Sequence, residues 1–246
     1  MKNSLNIIVN EIQYLIRGKK ISEIINLETD NIYNKSAASV IIKKYIDKNC
    51  LYNLEVLKDY KILLKFIPVN SEYKCYEAMS FSNSSLYNFI FEDWDSKDPL
   101  ETSSLKKQLN LNFLFIPIIK VKKKGVFNNY SDWEIGDLSL WRPNYNELKW
   151  IGKEWNRAKK TIQQGVKLKR QKHGKSFRTA NNLPKQSETD FIHLRPHGKN
   201  SFDYDIPYLK HTNGAVEITK QSFWLNKSFI NLLLNNYKWK MNLKEK

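Results

Sequence analysis

Three charged residues have the types and spacing that metal-dependent nucleases use. Asp59 is followed at a distance by Glu72 and Lys74, which form a Glu-x-Lys pattern. In such enzymes two or three carboxylates hold Mg²⁺ beside a scissile phosphate, and a lysine steadies the attacking water or hydroxide. Glu72 and Lys74 fall in the polar stretch 70–74, where a carboxylate would lie in bulk water, away from a rigid scaffold. The pattern therefore favours a solvated turn, and an active nuclease is the alternative.

Histidines and cysteines form the second set that could do chemistry. His193 and His197 flank a Leu-Arg-Pro run, Pro196 denies them a shared helix face, and Cys50 and Cys75 lie in other segments. A zinc site needs closely spaced ligands on a rigid frame. The sequence also contains no GxSxG motif, P-loop or dinucleotide fingerprint. We therefore expect no metal or cofactor for this chain, with His193 as an inward strand residue.

Charge and composition indicate a folded protein with a basic face. The 246 residues include 41 Lys and Arg against 25 Asp and Glu, a formal charge of +16, and 41% are hydrophobic. Such an excess points to a polyanion partner, although abundant Asn, Lys and Ile would also follow from an AT-rich genome. The longest apolar run, 113–119, is far below the roughly 18 residues that span a bilayer. Two unpaired cysteines suit a reducing compartment, so we expect a cytoplasmic protein without a membrane partner.

Apolar periodicity predicts the elements that must position these residues. We expect one domain over 1–246, since no linker interrupts it. Its predicted parts are a helical region at 1–50, a central sheet at 59–143, a helix at 144–165, a flexible basic loop at 166–187, and DNA-reading strands with a final helix at 188–238. Within them, 59–69 and 75–81 are predicted to form a hairpin, 215–220 a strand, and 222–237 the final helix.

Several segments, taken in order, resemble the MutH and Sau-three-A endonucleases, which act at GATC sequences. The segments are LLKFIPV (63–69), EAMSF (77–81), EDW (92–94), ETSSL (101–105), FLFIPI (113–118), LWRP (140–143), EWNRAKKTIQQGV (154–166), HLRPHG (193–198) and ITKQSFWLN (218–226). The resemblance implies an α/β, restriction-endonuclease-like fold. This fold would have a mixed central sheet flanked by helices, a helical N-terminal part and a DNA-binding cleft.

The resemblance also implies that the catalytic site is degenerate. In the family the strand ending in the IPV-like run carries Glu-x-Lys, whereas here Leu63 takes the glutamate position and Lys65 keeps the lysine position. A leucine cannot hold Mg²⁺, the ion that the family's catalytic domain uses. The chain is most similar to the non-catalytic C-terminal effector domain of the Sau-three-A type. We therefore expect DNA binding without cleavage, with cleavage at GATC by an active Mg²⁺-dependent endonuclease as the alternative.

The same resemblance implies which residues touch DNA. Arginine is the residue best matched to guanine O6 and N7, so Arg195 is the expected base reader. The expected contacts are Arg195, His197, Trp224, Lys220, Gln221, Lys65 and Lys107, with Lys169, Arg170 and Arg178 of the basic loop supplying affinity for the backbone. The expected partners are double-stranded DNA with a GATC-like site and either a catalytic MutH-like domain or a second copy of the chain.

Overall fold

The computed structural model describes residues 2–25, 36–82, 85–123, 126–127, 129–174, 176–205 and 218–236. Its helices are α1 (Lys2–Ile16), α2 (Ile21–Ile24), α3 (Ala37–Asn49), α4 (Leu54–Asp59), α5 (Leu86–Phe89), α6 (Ser104–Leu109), α7 (Tyr145–Gln163) and α8 (Lys227–Asn236). Its strands are β1 (Ile62–Val69), β2 (Met79–Ser80), β3 (Asn112–Ile119), β4 (Lys122–Lys123), β5 (Val126–Phe127), β6 (Glu134–Ile135), β7 (Ser139–Trp141), β8 (Leu168–His173), β9 (Ser176–Asn181), β10 (Ile192–Pro196) and β11 (Gln221–Leu225). The chain is thus α/β.

The chain divides into two compact units. The first comprises residues 1–77, 111–142 and 230–246, and the second comprises residues 78–110 and 143–229. Among the described residues, no helix is long and apolar enough to cross a membrane.

A mixed sheet forms the centre of the first unit. Strands β1 and β3 pair in parallel from Ile62↔Asn112 to Val69↔Ile119, while β6 and β7 pair antiparallel to β3. Residues 113–118 are all buried, as expected for a strand covered on both faces. Isoleucines of the N-terminal helices pack into this core, namely Ile8, Ile12, Ile16, Ile41, Ile42 and Ile46. The predicted helical region at the N-terminus is confirmed over its described residues.

The second unit combines a three-stranded antiparallel sheet with α7. The strand order is β10–β11–β2. Helix α7 begins after Asn144, whose side chain accepts a hydrogen bond from the Glu147 amide at 2.9 Å. In return the Glu147 carboxylate accepts a hydrogen bond from the Asn144 amide at 2.8 Å, which completes a capping box. Aromatic rings connect the helix to the sheet, because Phe89 lies 4.9 Å from Trp155 and 5.4 Å from Phe223 between ring centroids. The predicted helix at 144–165 is confirmed to within two residues.

The predicted hairpin of 59–69 with 75–81 is wrong. The turn at 70–74 does close, since the Asn70 amide donates to the Lys74 carbonyl at 3.0 Å, but antiparallel pairing stops at the single bridge Val69↔Cys75. Strand β2 pairs instead with β11. The physical reason is that β1 is apolar except at Lys65 and takes the buried strand β3 as its partner.

Two further predictions are corrected. The basic segment 166–187 forms an antiparallel ladder of β8 and β9, from Leu168↔Asn181 to His173↔Ser176, where a flexible loop was predicted. Residues 222–225 belong to strand β11, so the final helix begins only at Lys227. The alternation of Ser222 and Trp224 with Phe223 and Leu225 has the period of a strand. Of the strand predicted at 215–220, residues 215–217 lie outside the described ranges.

Candidate nucleic-acid interface

The predicted DNA-contacting residues at the end of the chain meet on strands β10 and β11. In the antiparallel register His193 is opposite Trp224, and Arg195 is opposite Ser222. Since successive residues of a strand point to opposite faces, these four side chains share one face of the sheet. Phe223 belongs to the other face, toward Phe89. We call the face with Arg195 and Trp224 the reading face.

Arg195 lies over the indole ring of Trp224. The guanidinium carbon is 4.9 Å from the ring centroid, Arg195 is exposed and Trp224 is half-buried. A cation over an aromatic face is attracted by the ring quadrupole, by about 0.5–1 kcal/mol at exposed sites. A contact of this kind is made with the face of the ring and uses none of the guanidinium N–H donors as hydrogen bonds to protein acceptors. The indole therefore restricts the conformations of a residue whose donors remain available.

His197 extends the reading face beyond the end of β10. Its amide donates to the Lys220 carbonyl at 2.7 Å, which continues the pairing of the two strands. Its imidazole lies 5.2 Å from the Trp224 ring between centroids, with the planes inclined at 42°. Trp224 therefore has the guanidinium of Arg195 and the imidazole of His197 as ring neighbours. These are three of the residues for which the resemblance implies DNA contacts.

Lys220 borders the same surface, but an acid neighbour holds it. Its Nζ lies 2.7 Å from a carboxylate oxygen of Asp203, and its amide also bonds the Asp203 carbonyl at 2.9 Å. The hydrogen bond and charge of Asp203 raise the pKa of Lys220. This pairing, which sequence reasoning missed, offsets part of the positive charge that Lys220 would offer to a phosphate.

Gln221 does not fulfil the prediction that it reaches DNA. It is 1% exposed, and its Nε2 donates to the Thr219 carbonyl at 2.7 Å. Alternation along β11 places it on the face opposite Trp224. A side chain in this position contacts neither base nor phosphate, so Gln221 is a structural residue.

A buried hydrogen-bond chain fixes β10 at the inner end of the reading face. The Nδ1 atom of His193 lies 2.5 Å from Oδ1 of Asn226, and Nδ2 of Asn226 donates to the Thr189 carbonyl at 2.7 Å. Burial lowers the pKa of His193, the bond to Asn226 opposes this, and the charge of Arg195 adds to the lowering. His193 is therefore neutral at pH 7, as an inward residue should be. The sequence could have predicted the role of Asn226, because the period-two alternation of Lys220 and Trp224 continues to Asn226 and puts it on the reading face.

On the other side of β10, a carboxylate of α7 holds the beginning of the strand. Glu154 accepts hydrogen bonds from the amides of Asp190, Phe191 and Ile192, at 2.6, 3.1 and 2.8 Å for the shortest contact with each. Burial raises the pKa of Glu154, while these three donors act to lower it. Helix α7 therefore sets the position of the strand that carries Arg195.

The remaining basic residues lie on other elements. Lys169 and Arg170 are exposed on β8, Arg178 is paired with Gln171 across the β8–β9 ladder, and Lys107 is exposed near the end of α6. An ordered ribbon gives basic groups a fixed spacing that a loop lacks. The ribbon is therefore suited to phosphate contacts, which position a protein on DNA without reading its sequence.

The position at which the resemblance implies a degenerate catalytic site lies on β1. Leu63 and Lys65 are two residues apart and so share one face of the strand. Burial lowers the pKa of Lys65, and the charge of Lys43 lowers it further. In the described parts of the chain, no three His, Cys, Asp or Glu side chains cluster as metal ligands would. Leu63 contributes no oxygen to such a set.

The alternative carboxylate set does not converge. Asp59 ends α4 and Glu72 follows β1, so the eight residues of the strand separate them. Eight residues of β-strand span about 23 Å, whereas two ligands of one Mg²⁺ each lie about 2 Å from it. Glu72 and Lys74 instead pair with each other at 2.7 Å, and both are exposed. The convergence of Asp59, Glu72 and Lys74 that the alternative requires is absent among these described residues, which lie in an exposed turn and at a helix end.

Comparison with known proteins adds no family to this description. No protein-family model matches the chain, and no curated protein is similar to it at a significant level. A function for the chain must therefore be argued from its own residues.

Proposed function

We propose that the chain binds double-stranded DNA sequence-specifically, at a GATC-like site, through the reading face of β10 and β11. The observation that carries the proposal is the exposed guanidinium of Arg195 stacked on Trp224. Arginine donates two parallel hydrogen bonds to guanine O6 and N7 in the major groove. Beside Arg195 and Ser222 the sheet has two strands, because β2 pairs with β11 only at Trp224 and Leu225. A two-stranded β-ribbon is narrow enough to enter that groove.

The magnitudes favour transfer of Arg195 from the indole to a base. Leaving the ring costs about 0.5–1 kcal/mol at an exposed site. A bidentate contact to guanine contributes about 1–3 kcal/mol of discrimination against the wrong base. Stacking is therefore strong enough to organise the unbound side chain and too weak to prevent base contact.

The proposal includes a non-cleaving role in a restriction system. By its resemblance, the chain would be a restriction-endonuclease-like effector domain, partnered by a catalytic MutH-like domain or by a second copy. Leu63 at the glutamate position and the separation of Asp59 from Glu72 both speak against cleavage by this chain. The Mg²⁺ of the reaction would then belong to the partner's catalytic site. The mixed sheet of the first unit is compatible with that fold.

Competition binding tests the reading role of Arg195. A labelled duplex with one GATC site is titrated in parallel with a duplex in which those four bases are scrambled. We expect Arg195→Ala to weaken binding to the GATC duplex by about 1–3 kcal/mol, roughly 5- to 150-fold, and to change binding to the scrambled duplex far less. Arg195→Lys keeps the charge but loses the bidentate geometry, so it should also lose discrimination.

Two controls make the outcome decisive. Arg142→Ala removes an exposed arginine that is not one of the residues of the reading face and should leave discrimination unchanged. Incubation of the purified chain with GATC-bearing DNA and Mg²⁺ or Mn²⁺ should give no site-specific cleavage. Equal losses of Arg195→Ala on both duplexes would demote Arg195 to a phosphate contact, and specific cleavage would overturn the non-cleaving role.

A further inference from the structure

Helix α7 presents a row of lysines on its outer side. Lys149, Lys153 and Lys160 are exposed and are spaced four and seven residues apart, so they lie along one side of the helix. The residues between them that are buried, Ile151 and Trp155 among others, form the inner stripe toward the unit's core. The row spans about 16 Å at the α-helical rise of 1.5 Å per residue.

The charge of this row is available. No ion pair of the described residues includes Lys149, Lys153 or Lys160, whereas Arg157 beside them is held by Glu188 at 3.9 Å. Lys153 lies 3.9 Å from the ring centroid of Trp150, whose side chain is 52% exposed. An exposed indole beside an unpaired lysine provides an apolar surface and a cation together.

Two shallow cavities border the row. One of about 480 Å³ is lined by Lys106, Lys149, Lys153 and the ring of Trp94, together with one acid, Asp95. The other, of about 470 Å³, adds Lys160 and the neutral donors Asn156, Thr161 and Gln164. Lysines interspersed with amide and hydroxyl donors are the residues that contact phosphate oxygens in protein–DNA complexes.

We propose that the outer row of α7 is a second nucleic-acid surface, which binds the phosphate backbone of another segment without reading its sequence. A lipid surface is disfavoured because the apolar stripe of α7 is buried in the unit and is not available for insertion. A protein partner is disfavoured because lysine is depleted in protein–protein interfaces. The surface goes beyond the proposed reading role and does not depend on it.

The two surfaces lie on opposite sides of the second unit. The inner stripe of α7 contacts Phe89 through Trp155, and Phe89 contacts Phe223, which is on the face of β11 opposite Trp224. The outer row of α7 and the reading face therefore point away from each other. One straight duplex cannot cover both, so the unit can hold two segments at once.

A bridging assay tests this directly on the full chain. A GATC duplex is fixed to beads, protein is added, and retention of a fluorescent duplex without GATC is measured. The wild type should retain the second duplex, and the triple variant Lys149→Ala, Lys153→Ala, Lys160→Ala should lose most of that retention. The matched control, Lys48→Ala, Lys58→Ala, Lys97→Ala, removes three exposed lysines elsewhere and should behave as the wild type.

Salt dependence gives a second readout. Because each phosphate contact contributes about 0.9 to the slope of log K against log salt, the α7 variant should lower the slope for a duplex without GATC by about 2.7. An unchanged slope, or bridging equal to that of the control, would overturn the proposal. A third outcome would also overturn it. If the α7 variant lost binding to poly-glutamate while its salt slope for DNA stayed unchanged, the lysine row would be a surface for an acidic protein.

The two proposals fail separately. The α7 variant should keep the preference for GATC over scrambled DNA, which Arg195→Ala removes. If the wild type shows no preference for GATC over scrambled DNA, the reading role fails. The slope of log K against log salt, measured on DNA without GATC, still decides the role of α7.

Discussion

Glu154 offers the clearest test of how the reading strand is held, because one carboxylate satisfies three consecutive amides. Replacing it in Glu154→Ala leaves the amides of Phe191 and Ile192 without their acceptor, while water can serve the exposed Asp190. A donor left unsatisfied costs about 1–3 kcal/mol. Burial of the carboxylate is itself unfavourable, as its raised pKa indicates, and removing it offsets part of this loss.

The expected net loss is therefore about 2–4 kcal/mol in the free energy of unfolding. Urea denaturation followed by tryptophan fluorescence measures it, and the melting temperature should fall by about 5–10 °C for a chain of this length. Glu154→Gln retains one acceptor oxygen and should fall between the wild type and the alanine variant.

The control lies on the same helix. Asn156→Ala alters an exposed α7 residue and should change stability by no more than about 0.5 kcal/mol. If Glu154→Ala were as stable as that control, the amides of residues 190–192 would not depend on α7, and our account of how Arg195 is positioned would be refuted.

Two further predictions concern groups whose pKa is lowered by burial. His193 has a pKa below its usual value near 6.5 in the folded chain, so the unfolded chain binds more protons and stability should fall as pH drops below about 6.5. This loss, up to about 1.4 kcal/mol per pH unit until the folded pKa is reached, should disappear in His193→Gln, as urea titrations at several pH values would reveal. Burial lowers the pKa of Lys65 because it disfavours the charged form, so Lys65→Met should raise the free energy of unfolding by about 1 kcal/mol. The same variant should lower the salt slope of DNA binding by about 0.9 if Lys65 contacts a phosphate, and a less stable variant would contradict the inferred cost of burying its charge.

Periodicity predicted the elements whose partners are local or whose apolar pattern is continuous. The helix at 144–165 has a cap at one end and a glycine at the other, so it was predicted nearly to the residue. The apolar run at 113–119 lies in β3, within the range predicted for the central sheet. The hairpin failed because sequence distance does not decide pairing. Strand β1 pairs with β3, some 50 residues further along the chain, and β2 pairs with β11.

The candidate site was predictable by residue type but not by side-chain environment. Arg195, His197 and Trp224 were expected together and lie together, since strand alternation sorts them onto one face. Gln221 was misassigned because the position of a strand decides which face a residue occupies, and the boundary between strand and helix was placed five residues too early. The pairing of Lys220 with Asp203 joins residues 17 positions apart and has no signal in composition or period.

Three successive residues of β10 have different environments, two of which hold the strand while the third is exposed. His193 is tied to Asn226 on the reading face, Leu194 is buried on the other face, and Arg195 is exposed. Glu154 holds the start of the strand, so the backbone that carries Arg195 is fixed at its beginning and from within its own face. Under the proposed function, only the arginine side chain would have to rearrange to meet a base, and binding costs less when fewer groups become ordered. A rigid strand with one adjustable reader is the arrangement expected of a surface that discriminates sequences by hydrogen bonds and not by charge alone.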